Sequence, residues 1–168
     1  MIDPSKINIV AEKRLEENLE FRQFLKKHAD CDKLDSQFLE LHNELFADYD
    51  CCKCANCCKA YSIVLSNDNV EIISQYLGQS KEDFISENLE KSDFDENDYK
   101  IKIQPCIFLC DDGRCRIQAI KPSTCKDFPF TDQPDRLLSM LGIIDFAEEC
   151  PVVFEILERL KKMYQFKF

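Results

Sequence analysis

Five cysteines fall within eight consecutive residues, and this cluster constrains the chain more than any other feature. Cys51, Cys54, Cys57 and Cys58 carry the pattern C-x-x-C-x-x-C-C, and Cys52 adds a fifth thiol inside it. The C-x-x-C spacing lets the chain turn so that two sulfurs face the same ion. A third and a fourth sulfur at this spacing indicate a metal or metal–sulfur centre.

The cysteine count also bears on the compartment. The 168 residues include eleven cysteines, an odd number that fits poorly with a complete disulfide framework. No apolar run approaches the length of a membrane-spanning helix, and the N-terminus has no hydrophobic segment of the secretory kind. We therefore expect a cytoplasmic protein, in which reducing conditions disfavour disulfides and abundant cysteine indicates metal or redox chemistry.

Charge and glycine content exclude several classes of partner. The formal net charge is −10, and thiolate ligands would make it more negative. An acidic protein binds a phosphate backbone poorly, so we expect no nucleic-acid partner and no DNA-binding zinc finger. The three glycines are far apart, which excludes a nucleotide-binding loop. We expect no membrane partner, and the protein partner is unknown.

Apolar periodicity predicts a mainly α-helical fold with short β segments, a small α+β protein in a single domain over residues 1–168. Residues 1–50 are expected to form an N-terminal helical hairpin, with helices over 7–29 and 34–48. Residues 51–150 are expected to form a cysteine-rich, metal-stapled core, and residues 151–168 a C-terminal helix.

Local patterns divide the core further. Ser66 and Ser80 predict helix N-termini, and Gly78 predicts the end of the first of these helices. Short extended segments are expected over 61–66 and 99–103. Residues 136–146 are apolar and fit either a helix or a strand.

A second group of cysteines follows the first. Cys106 and Cys115 are expected on the two arms of a small hairpin that turns at Asp111-Asp112-Gly113, and Cys125 follows it. Cys150 precedes Pro151, which predicts an N-cap position at the start of the last helix. The helix dipole there favours a thiolate.

Comparison with known cysteine spacings does not determine which metal is bound. The ferredoxin run C-x2-C-x2-C-x3-C-P matches Cys51, Cys54 and Cys57, but its fourth position falls on Tyr61. A local ferredoxin loop is thereby excluded, whereas an iron–sulfur cluster completed by remote cysteines is not. A zinc site built on the Cys51/Cys54 pair fits equally well.

Taken together, these segments resemble the CxxCxxCC (YkgJ-type) family of zinc- or iron-chelating cysteine-cluster proteins. The resemblance covers roughly residues 35–155 and includes Asp50 to Lys59, Pro105-Cys106, Gly113-Arg114-Cys115 and Lys121 to Cys125. Lys121 departs from the arginine that is usual before the proline. The resemblance implies that eight cysteines bind metal: Cys51, Cys54, Cys57, Cys58, Cys106, Cys115, Cys125 and Cys150. Cys31, Cys52 and Cys110 lie outside the pattern.

We therefore expect a metal-binding protein that holds an iron–sulfur cluster, such as a 4Fe–4S cluster, or zinc through about eight thiolates, with a redox or electron-transfer role. The alternatives are a structural zinc module for protein interaction and a metal-handling protein. The family's similarity to flagellin lysine methylases suggests redox or methyl-transfer chemistry. No catalytic motif exists apart from the metal centre, so enzymatic activity and catalytic residues are left open. Removal of the metal is expected to loosen the fold.

Overall fold

The structure is a computed structural model that describes residues 1–93 and 95–168. It is mainly helical with one small antiparallel sheet, which confirms the predicted fold class. The chain divides into two compact units. We call Met1–Asp50 with Pro129–Phe168 the terminal unit, and Cys51–Phe128 the cysteine unit. The single domain over 1–168 stays a prediction.

The terminal unit is built from helices. Its elements are a 3-10 helix Pro4–Lys6, α1 Ile7–Glu12, α2 Leu15–His28, α3 Cys31–Phe46, α9 Met140–Phe146 and α10 Pro151–Met163. Short helical turns precede the main helices, and α2 packs against α9 while α3 packs against α10.

Three helix boundaries in this unit follow from local chemistry. Asp30 caps α3 by accepting a hydrogen bond from the backbone N–H of Lys33, and the apolar stripe of α3 is buried as its spacing predicts. The single helix expected over 7–29 is divided in two. The reason is a tight turn in which the Arg14 N–H donates to the Ala11 carbonyl at 2.9 Å. Cys150 is the N-cap residue of α10, with Pro151 at its start.

A buried arginine orders the loop that leads into α9. The Arg136 guanidinium donates to the carbonyl oxygens of Phe130 and Pro134, and its side chain is almost completely buried. Asp35 on α3 accepts hydrogen bonds from the backbone N–H groups of Asp135 and Arg136, at 2.8 Å and 2.9 Å. These bonds satisfy backbone groups in a segment with no regular structure.

The cysteine unit combines short helices with a three-stranded antiparallel sheet. Its elements are α4 Cys51–Cys54, α5 Asn56–Ala60, β1 Val64–Leu65, α6 Asn67–Leu77, α7 Lys81–Asn88, β2 Leu89–Lys91, β3 Tyr99–Ile101, a 3-10 helix Gln118–Ile120 and α8 Ser123–Lys126. The strand order is β1-β3-β2, in which Val64 pairs with Lys100 and Leu89 pairs with Ile101.

The predicted helix boundaries of this unit are confirmed. Ser66 and Asn69 form a reciprocal capping box at the start of α6, and Gly78 ends that helix in the left-handed conformation. Ser80 caps α7 by accepting a hydrogen bond from the Asp83 N–H. One apolar core lies between the helices and the sheet, formed by Ile63, Leu65, Val70, Ile73, Phe84, Leu89, Ile101, Phe108 and Ile117.

Within residues 1–93 and 95–168, no helix is long and apolar enough to cross a membrane.

Candidate metal centre

The first cysteine segment consists of two short helical turns separated by one left-handed residue. Ala55 has φ 48° and ψ 20° and lies between α4 and α5. Its N–H donates to the Cys51 carbonyl at 2.7 Å, and its side chain is buried. A left-handed residue cannot continue a right-handed helix, so the chain changes direction between the Cys51/Cys54 pair and the Cys57/Cys58 pair.

The second cysteine segment is the small hairpin that the sequence predicts. Leu109 and Cys115 form an antiparallel bridge, and the Arg116 N–H donates to the Phe108 carbonyl at 2.7 Å. The turn between the arms is closed by the Gly113 N–H, which donates to the Cys110 carbonyl at 2.9 Å. Gly113 has φ +81°, which favours glycine at this position.

Two backbone contacts join the segments. The Cys106 N–H donates to the Cys58 carbonyl at 2.8 Å. Gly113 lies so close to Cys52 that a methyl group on Gly113 would overlap the Cys52 carbonyl oxygen and lie 2.9 Å from its carbon. The fold therefore brings together two groups of cysteines that are about 50 residues apart in the sequence.

Four thiols lie close enough for the charge on one to act on the other three. They are Cys58 from the first segment and Cys106, Cys115 and Cys125 from the second, and we call them the inner thiols. All four are half-buried. Cys58, Cys106 and Cys125 line a cavity of about 40 Å³, together with Cys57.

The pKa of one inner thiol is lowered, and the pKa values of the other three are raised. The hydrogen bond between the Cys57 and Cys58 thiols chiefly lowers the pKa of Cys58, to about 6. The positive charges of Lys121 and Lys59 act in the same direction, against the effect of burial. Burial chiefly raises the pKa of Cys106 and Cys115, and it raises that of Cys125 to about 12. Without metal, one thiolate among neutral thiols is therefore expected at neutral pH.

Apolar and cationic groups complete the wall of the cavity. Tyr61 and Phe128 line it, with ring centroids 5.0 Å apart, and Ile63 lies beside them. Lys121 is the cation of this wall. On α8, Thr124 donates from its hydroxyl to the Val64 carbonyl at 3.3 Å, which ties the helix that carries Cys125 to the sheet.

The inner thiols are near one another, yet they do not already form a coordination shell. Among the described residues, no group of three or more His, Cys, Asp or Glu side chains is arranged to hold a metal ion as it stands. The four sulfurs would therefore have to converge on an ion. Four neighbouring sulfurs fit the donor set that zinc and iron–sulfur clusters require.

The other predicted ligands lie in different settings. Cys57 lines the cavity, Cys54 is half-buried and Cys51 is exposed. Cys150 belongs to the terminal unit and is 8 % exposed. Metal ligation by any of the eight cysteines stays a prediction.

The sequence interpretation missed the lysines that act on Cys58. Lys59 directly follows the cysteine pair, and its Nζ donates to the Cys54 carbonyl at 3.2 Å. Lys121 was noted only as a substitution for arginine before a proline. Both lysines are visible in the sequence, and a cation beside a cysteine indicates a group that can stabilise a thiolate.

Comparison with known families decides the assignment. The family model "CxxCxxCC: Putative zinc- or iron-chelating domain" matches residues 50–151, well over half of the chain. The chain belongs to the CxxCxxCC family. The CxxCxxCC match begins one residue before the cysteine unit, includes the inner thiols and ends at Pro151. No curated protein and no solved structure matched the chain.

Proposed function

We propose that this CxxCxxCC protein holds an iron–sulfur cluster on its inner thiols and serves in electron transfer. The observation that carries the proposal is the meeting of Cys58, Cys106, Cys115 and Cys125, in which the charge of Cys58 acts on the other three. Four cysteine thiolates are the usual protein ligands of an iron–sulfur cluster. A reducing, cytoplasmic location would keep them available.

The wall of the cavity supports the redox part of the proposal. Tyr61, Ile63 and Phe128 give the inner thiols a largely apolar surrounding, and Lys121 adds a positive charge. Low local polarity and nearby charge are the means by which a protein adjusts the potential of a metal–sulfur centre. Electron transfer would also require a protein partner, which we leave unidentified.

A structural zinc module is the second candidate, since the same four sulfurs fit a closed tetrahedral zinc site. The two candidates differ in what a purified sample should contain. An iron–sulfur protein contains iron and acid-labile sulfide and is coloured. A zinc module is colourless and redox-inactive.

The test is anaerobic purification followed by elemental analysis, a labile-sulfide assay and a visible spectrum. We expect a brown protein with iron and sulfide in matching amounts. Cys125→Ser should lose most of the iron, whereas Cys31→Ser should retain it because Cys31 is an exposed residue of the terminal unit. A colourless protein that contains zinc would favour the structural module, and a protein without any metal would reject both.

A further inference from the structure

Two cysteines outside the family pattern line the same cleft of the cysteine unit. Cys52 and Cys110 both line this open cleft, which has a volume of about 440 Å³. Cys52 is exposed and Cys110 is half-buried. We call these two residues the outer thiols.

Backbone contacts hold the outer thiols in place. Gly113 lies against the Cys52 carbonyl, and the same residue donates its N–H to the Cys110 carbonyl at 2.9 Å. The side chain of Arg114 is near both sulfurs. Its hydrogen bond to Asp112 chiefly raises its pKa, and Cys110 and Cys52 both add to the effect.

The charges around the cleft do not select a cation by themselves. Lys53 and Lys59 line it together with Asp111 and Asp112. Arg114 adds a third positive charge and forms an ion pair with Asp112 at 2.6 Å, so the positive charges outnumber the negative ones. Hard cations such as Ca²⁺ and Mg²⁺ require several oxygen ligands, which this lining does not concentrate. Thiolates instead select soft or borderline metals. The cleft is therefore suited to a thiophilic ion.

The outer thiols adjoin the inner thiols through one hairpin. Cys110 acts electrostatically on Cys115, and these residues stand on the two arms of the hairpin, beside the Leu109–Cys115 bridge. An ion bound by Cys110 would thus be held on the same hairpin as the inner thiol Cys115.

We propose that Cys52 and Cys110 form a capture site that takes a thiophilic divalent cation from solution and passes it to the inner thiols by ligand exchange. Each outer thiol releases its proton to solvent as its sulfur binds the ion. The bonds to Cys52 and Cys110 then break as bonds to Cys115 and the other inner thiols form. The protonated inner thiols release their protons as they bind the ion, and the outer thiols take up protons again. The metal keeps its oxidation state throughout. This inference rests on the proposed binding of metal by the inner thiols.

The test compares the rate and the extent of metal uptake. Metal-free protein is mixed anaerobically with Zn²⁺ held by a weak chromophoric chelator, and the transfer of zinc is followed by stopped-flow absorbance. Zinc is the probe because it accepts four thiolates without redox chemistry. The double variant Cys52→Ser/Cys110→Ser should load about tenfold more slowly, or slower still, than wild type, with the same final amount of zinc. The control Cys31→Ser should match wild type in both.

Other results would overturn the capture site, either alone or together with the proposed function. An unchanged loading rate in the double variant would overturn the capture site alone. A lower final amount of zinc would also overturn it, because Cys52 and Cys110 would then be permanent ligands. If wild type takes up no zinc and also contains no iron when purified anaerobically, the proposed function fails, and the capture site fails with it.

A measurement without variants guards against misfolding of the double variant. Metal-loaded wild type is treated with iodoacetamide and the modified cysteines are mapped by mass spectrometry. The outer thiols should be modified together with Cys31, while the inner thiols are protected by the metal. Protection of Cys52 and Cys110 would overturn the proposal.

Discussion

Gly113 lies directly against the carbonyl oxygen of Cys52, so the turn of the second cysteine segment packs against the first cysteine segment. The hydrogen bond from the Cys106 N–H to the Cys58 carbonyl is a second backbone link between these segments. The approach at Gly113 leaves no room for a side chain. The position of this one glycine therefore influences whether the inner thiols meet.

Replacement of Gly113 by alanine should separate the two segments. The new methyl group would overlap backbone atoms of Cys52, and the residue would also keep an unfavourable φ of +81°. We expect a loss of about 3 kcal/mol or more in the free energy of unfolding, together with weaker metal binding. Urea unfolding and metal titration measure these effects.

The other two glycines supply matched controls. Gly78 has φ +70° with open space around it. Gly78→Ala should therefore lower the free energy of unfolding by only about 1 kcal/mol, because alanine is unfavourable in the left-handed conformation. Gly142 lies within α9 with Phe146 4.0 Å from the added methyl, and Gly142→Ala should be neutral or stabilising by about 0.5 kcal/mol. If Gly113→Ala lowers the free energy of unfolding no more than Gly78→Ala does, the close approach to Cys52 does not contribute to stability.

Ala55 should tolerate glycine but not valine. Its left-handed conformation costs an L-residue about 1–2 kcal/mol, which glycine would relieve, while loss of the buried methyl costs about 0.8 kcal/mol. Ala55→Gly should thus change the free energy of unfolding by less than about 1 kcal/mol. Ala55→Val adds a β-branched side chain at positive φ and should destabilise the protein by about 2 kcal/mol or more. Equal stability of the two variants in thermal unfolding would be incompatible with this conformation.

The metal-free protein should show a wide spread of thiol reactivity. The thiolate is the nucleophile, so Cys58, with its pKa of about 6, should be alkylated well before Cys125, with its pKa of about 12. Both residues are half-buried, so a difference in exposure does not account for their order of reaction. A decrease from about pH 7 to about pH 5 should slow the alkylation of Cys58 about tenfold, because the thiolate fraction falls through its pKa.

Timed alkylation with mass-spectrometric mapping gives these rates. Lys121→Met removes a positive charge that stabilises the Cys58 thiolate and should slow its reaction at pH about 7. Modification of Cys125 as fast as Cys58 would contradict the assigned electrostatics.

Much of the local structure could be read from the sequence because single residues determine it. Ser66, Gly78 and Ser80 mark helix ends through capping and left-handed geometry, and they do so where expected. Residues 136–146 were ambiguous in the sequence. Met140, Ile143, Ile144 and Ala147 are buried at helical spacing, and the segment contains helix α9.

Features that depend on distant partners could not be read in the same way. Strand β2, Leu89–Lys91, has three residues without an alternating pattern and exists through pairing with β3. The family resemblance implied eight metal ligands, but neither it nor the spacing singled out Cys58, Cys106, Cys115 and Cys125 as one group. That grouping depends on tertiary contacts such as the one between Gly113 and Cys52.

Glu149 should make the terminal unit less stable as pH rises. Burial chiefly raises its pKa from 4.5 to about 7, and the charge of Glu148 adds to this effect. Between these two values the folded state binds more protons than the unfolded state, so the free energy of unfolding should fall as pH increases through this window. Glu149→Gln should flatten the dependence and stabilise the protein above pH 7.

Urea unfolding from about pH 5 to about pH 8 tests this dependence. Glu148→Gln is the control, because it removes only the neighbouring charge and should reduce the slope slightly. An identical slope in wild type and Glu149→Gln would exclude Glu149 as its source.

The most direct test of the metal centre counts the sulfurs around the metal by X-ray absorption spectroscopy of anaerobically purified protein. We expect about four sulfur neighbours per metal at about 2.3 Å. Cys125→Ser should lose a sulfur neighbour or the metal itself, and Cys31→Ser should keep the wild-type spectrum. A shell of nitrogen and oxygen, or an unchanged shell with full metal content in Cys125→Ser, would contradict metal binding by the inner thiols.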